Sequence, residues 1–478
     1  MRLRQGKDVP PRFVRAAVST GLLLLLIGSA AASDGDLDPS FGDNGVVQIE
    51  PADTQTLDLS SPVVQSDGKI IVCGTSVSIY QWKYAGFVAR FNADGSPDAS
   101  FGQGGRIDLG NLFVNPGCAN TVLPHDGKIL LNTFSDVDGP GVPVEFDVQI
   151  ARLNADGSKD LHFGYAGVSH IDSMFGDYDG EAPMTIQPDG AIVIGLAASP
   201  NGLGIARVRA DGSNDSSFGV DGRVTIEFPP AGNLISGVHG ILIDAQGRIV
   251  VAGYVATGGA VGSNIADFAA ARVLSDGTLD ASFGDGGRVI VHFDGRSSFA
   301  EVALLQDDGG IVLAGAASYP DASNVGDPNY DVAITRLRAD GSLDASFGDG
   351  GRKVIPLDFV ENGFDIAYSG VIRPDGKIEL VGQTNAEDQF SKGFVMQLDE
   401  RGNPVDSFGL HGVRLPDIVT GQQIAERFSG IVRDGSSYLV AGLATSPAPE
   451  YANANFLMRL EAPAQLLRGH SMHARPPR

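Results

Sequence analysis

Short apolar runs, each followed by a turn rich in Asp, Gly or Pro, make up most of this chain. Residues 249–252 are continuously apolar and too short for a helix, which is typical of a strand buried on both faces. In a preceding segment Val224, Ile226 and Phe228 alternate with polar residues, which indicates a strand with one solvated face. No segment of useful length shows helical periodicity. The pattern predicts an all-β chain with four short strands in each unit.

The tripeptide Ser-Phe-Gly, or a close variant, recurs seven times at steps of 60, 62, 55, 65, 64 and 61 residues. A period in this range indicates structural units that are copied and packed on one another. The recurring Ser is a possible nucleophile, but no general base accompanies each copy, and His162 replaces Ser in the third. We therefore expect Phe to fill an apolar gap between units and Gly to relax the backbone. The seven phenylalanines are Phe41, Phe101, Phe163, Phe218, Phe283, Phe347 and Phe408.

The two ends of the repeat region are out of phase with each other. The last unit stops after its third strand, at 456–460, and has no fourth strand of its own. Residues 33–49 supply the missing turn and strand, since they contain Ser-Phe-Gly followed by Val46 to Ile49. This arrangement predicts a seven-bladed β-propeller of four-stranded blades, closed by pairing the N-terminal strand with the last blade. An open solenoid would leave that strand unpaired, and a parallel β-helix would need shorter rungs.

Three consensus segments, Leu-Asp-x-Ser-Phe-Gly-x-x-Gly, Asp-Gly-Lys-Ile and Ala-Arg-Leu-x-x-Asp-Gly-Ser, recur through residues 33–460. Together they resemble the delta-60 repeat of bacterial exported proteins. The resemblance implies a propeller-like fold and no established shared activity. The sequence departs from the pattern at Asn132, where Gly usually ends the second strand, and at 400–403, where Glu-Arg-Gly-Asn replaces Ala-Asp-Gly-Ser.

Residues 1–32 have the pattern of a secretory signal peptide. Basic residues precede the apolar run 21–27, and the small residues 29–32 follow it, so we expect cleavage after Ala32. An uncleaved membrane anchor is the alternative, although the run is short for a span. The expected organisation is a signal peptide at 1–32, a propeller at 33–460 and a basic, disordered tail at 461–478. The mature protein would then be periplasmic or extracellular.

The chain carries a net charge of −24, which becomes −28 when the five basic residues and one acid of residues 1–32 are removed. Such a chain would be repelled by nucleic acid and by anionic lipid, whereas cations, basic proteins and glycans remain possible partners. We expect a monomer. Only Cys73 and Cys118 could form a disulfide, and the sequence leaves open whether they do.

Variable links between second and third strands are the expected place for recognition. The first such link contains Tyr80, Trp82 and Tyr84, and Tyr254 and Tyr330 are expected on other links. Exposed aromatic rings suit sugar stacking or a protein contact. The alternative is that these rings anchor each loop to its own blade.

Acidic residues recur near the start of the innermost strands, where they could face one mouth of a central channel. They could hold calcium, the only cofactor considered, or orient a cationic ligand; ordinary solvated acids are the alternative. The five are Asp58, Glu181, Glu301, Asp365 and Glu426.

No catalytic motif is present, and no catalytic residue is assigned from the sequence. The first functional hypothesis is an exported binding or scaffold protein whose variable loops engage a glycan, an envelope component or a protein. The alternative is a hydrolase or lyase with an acidic site at the channel mouth. A purely structural role in the cell envelope is a third possibility, and the fold cannot decide among them.

Overall fold

The structure is a computed structural model, and nearly all of its regular elements are β-strands. Leu109–Asn111 forms a single turn of 3-10 helix. Within the described residues, no helix is long and apolar enough to cross a membrane. The structure describes residues 33–49, 56–78, 83–113, 116–136, 146–171, 182–198, 202–228, 236–258, 265–318, 329–357, 359–360, 363–385, 391–416, 418, 425–445 and 453–462.

Seven antiparallel sheets form the blades of a β-propeller, as predicted. Blades 1 to 3 follow the chain order. Blade 1 contains Thr56–Leu59 with Val63–Val64, Ile70–Ser78, Lys83–Phe91 and Arg106–Asp108. Blade 2 contains Pro116–Val122, Ile129–Asp136, Phe146–Leu153 and Val168–Ile171. Blade 3 contains Met184–Ile186, Ile192–Ala198, Gly202–Val208 and Arg223–Glu227.

The remaining blades repeat this order, and the last takes its fourth strand from the start of the propeller. Blade 4 contains Ser236–Ile243, Ile249–Gly258, Ile265–Val273 and Arg288–Val291. Blade 5 contains Ser298–Leu305, Ile311–Ser318, Tyr330–Leu337 and Arg352–Ile355. Blade 6 contains Ile366–Ile372, Ile378–Asn385, Ser391–Leu398 and Val413–Arg414. Blade 7 contains Ala425–Asp434, Ser437–Thr445, Asn453–Leu460 and Val46–Ile49.

Ring closure joins the two segments that were predicted to pair. Val46 pairs with Met458 and Ile49 pairs with Asn455 in an antiparallel ladder. The two chain segments also share the turn between the third and fourth strands of blade 7. The backbone N–H of Glu461 donates a hydrogen bond to the carbonyl of Asp36 at 2.8 Å. In the other blades the same turn is formed by one continuous segment of the chain. The fourth strand of blade 7 is paired over four residues, as are those of blades 2, 4 and 5.

The Phe of each Ser-Phe-Gly copy is a packing residue between blades. All seven are at most 2% exposed. In blade 4, the guanidinium of Arg272 lies 4.5 Å from the ring centroid of Phe283, donates to Asp280 at 2.8 Å and donates to the carbonyl of Ala339 in blade 5. The same arginine–phenylalanine contact recurs at Arg90, Arg152, Arg207, Arg336 and Arg459. We call this set of contacts the interblade clasp.

The interblade clasp also explains two other residues of the repeat, the Asp that precedes Ser-Phe-Gly and the Gly of the Asp-Gly turn in the next blade. Burial alone would raise the pKa of Asp280, but hydrogen bonds from Ser282 and the charge of Arg272 outweigh it and hold this pKa at about 2. Gly341 of the next blade has a φ of +82°, and a Cβ there would lie 2.9 Å from the Phe283 ring. The repeated motifs therefore serve packing between blades, as expected.

The junction of blades 6 and 7 uses different residues. Gln397 and Val405 stand where other blades have the clasp arginine and aspartate. Instead, the buried Arg373 bonds Glu379 and lies 3.1 Å from Asp34, and Gln397 donates to Asp34 at 3.0 Å. Burial raises the pKa of the Glu379 carboxyl, and the charge of Arg373 only partly offsets that rise.

A disulfide joins Cys73 in blade 1 to Cys118 in blade 2, with a Cα–Cα distance of 5.9 Å. The sequence left this pairing open. Both cysteines are buried, and the Thr75 hydroxyl accepts a hydrogen bond from the backbone N–H of Cys118 at 2.8 Å. The first two blades are thus linked covalently as well as by packing.

Candidate functional site

The sheets have two different ends. Asp-Gly turns between first and second strands, and between third and fourth strands, lie at one end, which we call the turn end. The links between second and third strands lie at the opposite end, the loop end. Because the first strands of neighbouring blades lie side by side, residues near their starts meet at the loop end.

The first strand of six blades carries a β-bulge near its start. Such bulges redirect a side chain and are over-represented beside active sites. In these blades the pairing register skips one residue of the first strand: Leu57, Ala119, His239, Glu301, Tyr368 and Ser429. Blades 4 and 5 therefore place an imidazole and a carboxylate at equivalent positions.

His239 and Glu301 contact each other across the boundary of blades 4 and 5. Nδ1 of His239 lies 2.9 Å from Oε2 of Glu301, and both side chains are 22% exposed. The adjacent Gly240 permits this approach, because a Cβ there would overlap the side chain of Ala303. The pair is therefore fixed by the close packing of two first strands and remains partly open to solvent.

Tyr254 lies beside this pair in a strand, and its expected position on a variable loop is wrong. It pairs with Gly237 and Phe268 within the second strand of blade 4. The sequence suggested that this strand ends at Gly253. Instead the strand continues past Gly253, where it lies very close to the bulged first strand of the blade. Glycine is required at this point because a Cβ at Gly253 would overlap the carbonyl oxygen of Gly237. The glycine therefore marks a close backbone approach rather than a strand end.

A line of half-buried rings runs from this pair across three blades. Tyr254 stacks on His239 with centroids 5.6 Å apart, and Phe299 meets Tyr254 edge-on at 4.9 Å. Tyr330 contacts Phe299 at 6.1 Å, and Phe364 contacts Tyr330 at 5.7 Å. We call these five rings together with Glu301 the aromatic strip. Its half-buried apolar rings lie beside the hydrogen-bonding groups of His239 and Glu301.

Tyr330 is the first residue of a third strand rather than a loop residue, so its expected position is also corrected. Burial raises the pKa of its phenol. Its carbonyl accepts a hydrogen bond from the backbone N–H of Asp365 at 2.7 Å. The buried carboxylate of Asp365 accepts from the N–H of Leu357 at 3.0 Å and from the hydroxyl of Thr384 at 2.5 Å. Asp365 thereby joins blades 5 and 6.

Glu426 is 2% exposed and lies where blades 6 and 7 meet. Nζ of Lys392 is 3.9 Å from its Oε2. The guanidinium of the adjacent Arg427 lies 5.4 Å from the ring centroid of Tyr368, and burial lowers the pKa of that guanidinium. Glu301, Asp365 and Glu426 thus each make contacts between neighbouring blades, and those contacts do not bring the three acids together.

The other candidates are only partly placed. Asp58 pairs with Thr75 in the first strand of blade 1, and Tyr84 pairs with Val77 in the third strand of blade 1. Tyr80, Trp82 and Glu181 lie outside the described residues. In the part of the chain that the structure describes, no group of three or more His, Cys, Asp or Glu side chains could hold a metal. Calcium binding stays a prediction.

The sequence alone does not single out His239, Phe299 and Phe364 as site residues. A signal for His239 existed, because an imidazole interrupts the otherwise apolar segment 237–243 and stands next to Gly240. Phe299 and Phe364 carried no comparable signal. Their significance arises from contacts between blades, which the repeat spacing does not encode. Chemically, the assembled strip can stack on a sugar ring and bond its hydroxyl groups.

Comparisons with known proteins agree with the fold. The family described as "Domain of unknown function (DUF5122) beta-propeller" matches residues 65–101, 145–163, 187–218, 246–283 and 306–347. These matches support a propeller repeat family of unknown function. No curated protein matches the chain.

Several solved structures resemble the chain at low sequence identity. A polysaccharide lyase, the PL25 ulvan lyase bound to -[GlcA(1-4)Rha3S]-, has 11% identity and a TM-score of 0.52, with coverage of 87% of this chain and 97% of that one. The polysaccharide lyase Uly1 has 10% identity and a TM-score of 0.49, covering 84% and 90%. The propeller domain of the Pyrococcus furiosus Trilobed protease has 12% identity and a TM-score of 0.41, covering 85% and 94%. At such identity the ulvan lyase likeness concerns the fold alone.

Proposed function

We propose that this protein is an exported binding propeller that engages a glycan at its loop end, through the aromatic strip. The observation that carries the proposal is the line of rings from His239 to Phe364, which lies beside the Glu301 carboxylate. Sugar recognition commonly combines an aromatic face with a few positioned polar groups. Tyr80, Trp82 and Tyr84 of the first variable link stay a separate candidate surface for the same role.

Export is supported by two features. Residues 1–32 have the composition of a signal peptide. The disulfide between Cys73 and Cys118 is a bond that persists in oxidising compartments such as the periplasm or the extracellular space. A solved structure of similar fold, the ulvan lyase, carries a bound saccharide, so the architecture is compatible with such a ligand.

Replacing Tyr254 with alanine is expected to weaken glycan capture about tenfold, because stacking on Tyr254 and the orientation of His239 are both lost. The measurement is binding of the purified protein to an array of immobilised neutral and uronate-containing oligosaccharides, followed by affinity determination for the best binder. The matched control is Leu410→Ala at the turn end, where an exposed apolar side chain is removed. Equal affinity of the Tyr254→Ala variant and the wild type, with both folded, would count against the strip.

A second candidate function, a hydrolase or lyase at the same strip, is favoured by the His239–Glu301 contact. A carboxylate on one imidazole nitrogen fixes the tautomer and orientation of the ring, which is what a general base requires. Under this proposal the reactive group is His239, oriented by Glu301, rather than the five acidic residues predicted from the sequence.

This second candidate predicts that His239→Ala lowers the release of new reducing ends from a bound oligosaccharide by at least about a hundredfold, since general acid–base groups contribute on that order. His292→Ala is the matched control, because His292 also lies against a carboxylate, with Nδ1 2.8 Å from Asp267, but at the blade edge. If the wild-type protein binds but never cleaves, the binding function alone stands.

A further inference from the structure

The repeat of blade 2 carries three large, exposed side chains at the turn end. Leu161 is 65% exposed and Tyr165 is 85% exposed, and the His162 side chain between them is 95% exposed. Blade 4 has the smaller or more polar residues Ala281, Ser282 and Asp285 at these three positions. Packing does not require the large side chains, because the buried Phe163 beside them already fills the clasp.

The same repeat also lacks a side chain that fills the boundary with the next blade. In blade 3, Val224 covers the hairpin glycine of blade 4, since a Cβ at Gly277 would lie 2.8 Å from Cγ2 of Val224. Blade 2 has Ser169 at this position. Serine is smaller than that valine, and Ser169 lines an open space between blades 2 and 3.

That space is a groove of about 500 Å³ between the fourth strand of blade 2 and the surface of blade 3. Tyr165 and His170 line one side, and Asn214, Asp221 and Arg223 line the other. Asn214 donates to Oδ1 of Asp221 at 2.9 Å, which orients the amide and the carboxylate together. The lining therefore combines one exposed aromatic ring with hydrogen-bond donors and acceptors, some of them positively and some negatively charged.

We propose that this groove is a second saccharide-binding site, separate from the aromatic strip. A sugar ring would lie against Tyr165 while its hydroxyl groups bond Asn214, Asp221 and Arg223, a combination of one apolar face and several polar groups that sugars require. The volume suits one or two sugar units. The lack of net charge in the lining favours a neutral sugar. Because the groove lies at the turn end, this site functions whether or not the strip binds a glycan.

Two variants test the groove without disturbing the core. Ser169→Val installs the residue that blade 3 has at the same position, so it fills the groove and preserves the fold. Tyr165→Ala removes the exposed ring. The probes are cellobiose, maltose, lactose and chitobiose, each titrated into the full mature chain and followed by NMR. We expect at least one disaccharide to bind, and each variant to weaken its affinity about tenfold, while Tyr254→Ala leaves it unchanged.

Other outcomes overturn the proposal. Unchanged affinity in a folded Ser169→Val variant, or no binding of any probe, excludes a saccharide site in the groove. Loss of binding only in Tyr254→Ala assigns the disaccharide to the aromatic strip and leaves the first proposal standing alone. If sedimentation shows that the wild type self-associates and Tyr165→Ala does not, the groove is a contact between copies of this chain.

Discussion

Replacing Phe283 with alanine is expected to lower the free energy of unfolding by about 3–5 kcal/mol, the range for removing a fully buried phenylalanine. Phe283 is 0% exposed, and Arg272 and Gly341 both contact its ring from opposite sides. The substitution therefore leaves a cavity at the boundary of blades 4 and 5 and removes the surface on which the arginine rests. Thermal unfolding monitored by calorimetry measures the effect.

The matched control is Leu274→Ala in the same blade, where the side chain is 37% exposed and its removal should cost less than about 1 kcal/mol. Equal destabilisation by the two variants would contradict the assignment of the repeated Phe to packing between blades. A second check is Arg272→Met, which keeps most of the contact with the ring but loses the bonds to Asp280 and Ala339. This variant should fall between the other two.

Removing the disulfide by the double substitution Cys73→Ala and Cys118→Ala is expected to destabilise the protein by about 4 kcal/mol. The bond closes a loop of 45 residues, and cross-links of this length restrict the unfolded chain by about that amount. Because the bond joins blades 1 and 2, its loss should weaken the boundary between these two blades most. Chemical denaturation of the oxidised protein, the reduced protein and the double variant measures the effect.

The reduced wild type is the internal control, since it lacks the bond but keeps both sulfur atoms in the core. We expect the reduced protein and the double variant to have similar midpoints, both below that of the oxidised protein. If reduction leaves the midpoint unchanged, packing around Thr75 and Cys118 holds these blades together without the bond.

The architecture could be predicted from the sequence because its signals are local. Turn residues with positive φ, such as Gly341, and alternating apolar positions recur at a nearly constant spacing. Ring closure was predictable for the same reason, since one strand was missing at one end and present at the other. The number of blades and the pairing of residues 46–49 with the last blade followed without knowledge of any long-range contact.

The site was less predictable because its residues are brought together by several strands. The sequence indicates Tyr254 and Glu301 for different roles, and only the structure brings both into contact with His239. The sequence predicts a loop at Tyr254 because a glycine, Gly253, follows the apolar run of the preceding strand. In the fold, that glycine accommodates a bulge in the neighbouring strand, which sequence periodicity does not reveal.

The sequence by itself determined the unit, its number of copies and the way the chain closes, because turn chemistry and strand alternation act over a few residues. The tertiary structure alone decided which side chains meet: the disulfide, the clasp between Arg272 and its neighbours, and the aromatic strip. These contacts join strands of different blades that are distant in sequence. Their formation depends on bulges and close approaches between strands. The spacing of the repeats does not contain that information, because it does not specify which side chains meet where two blades pack together.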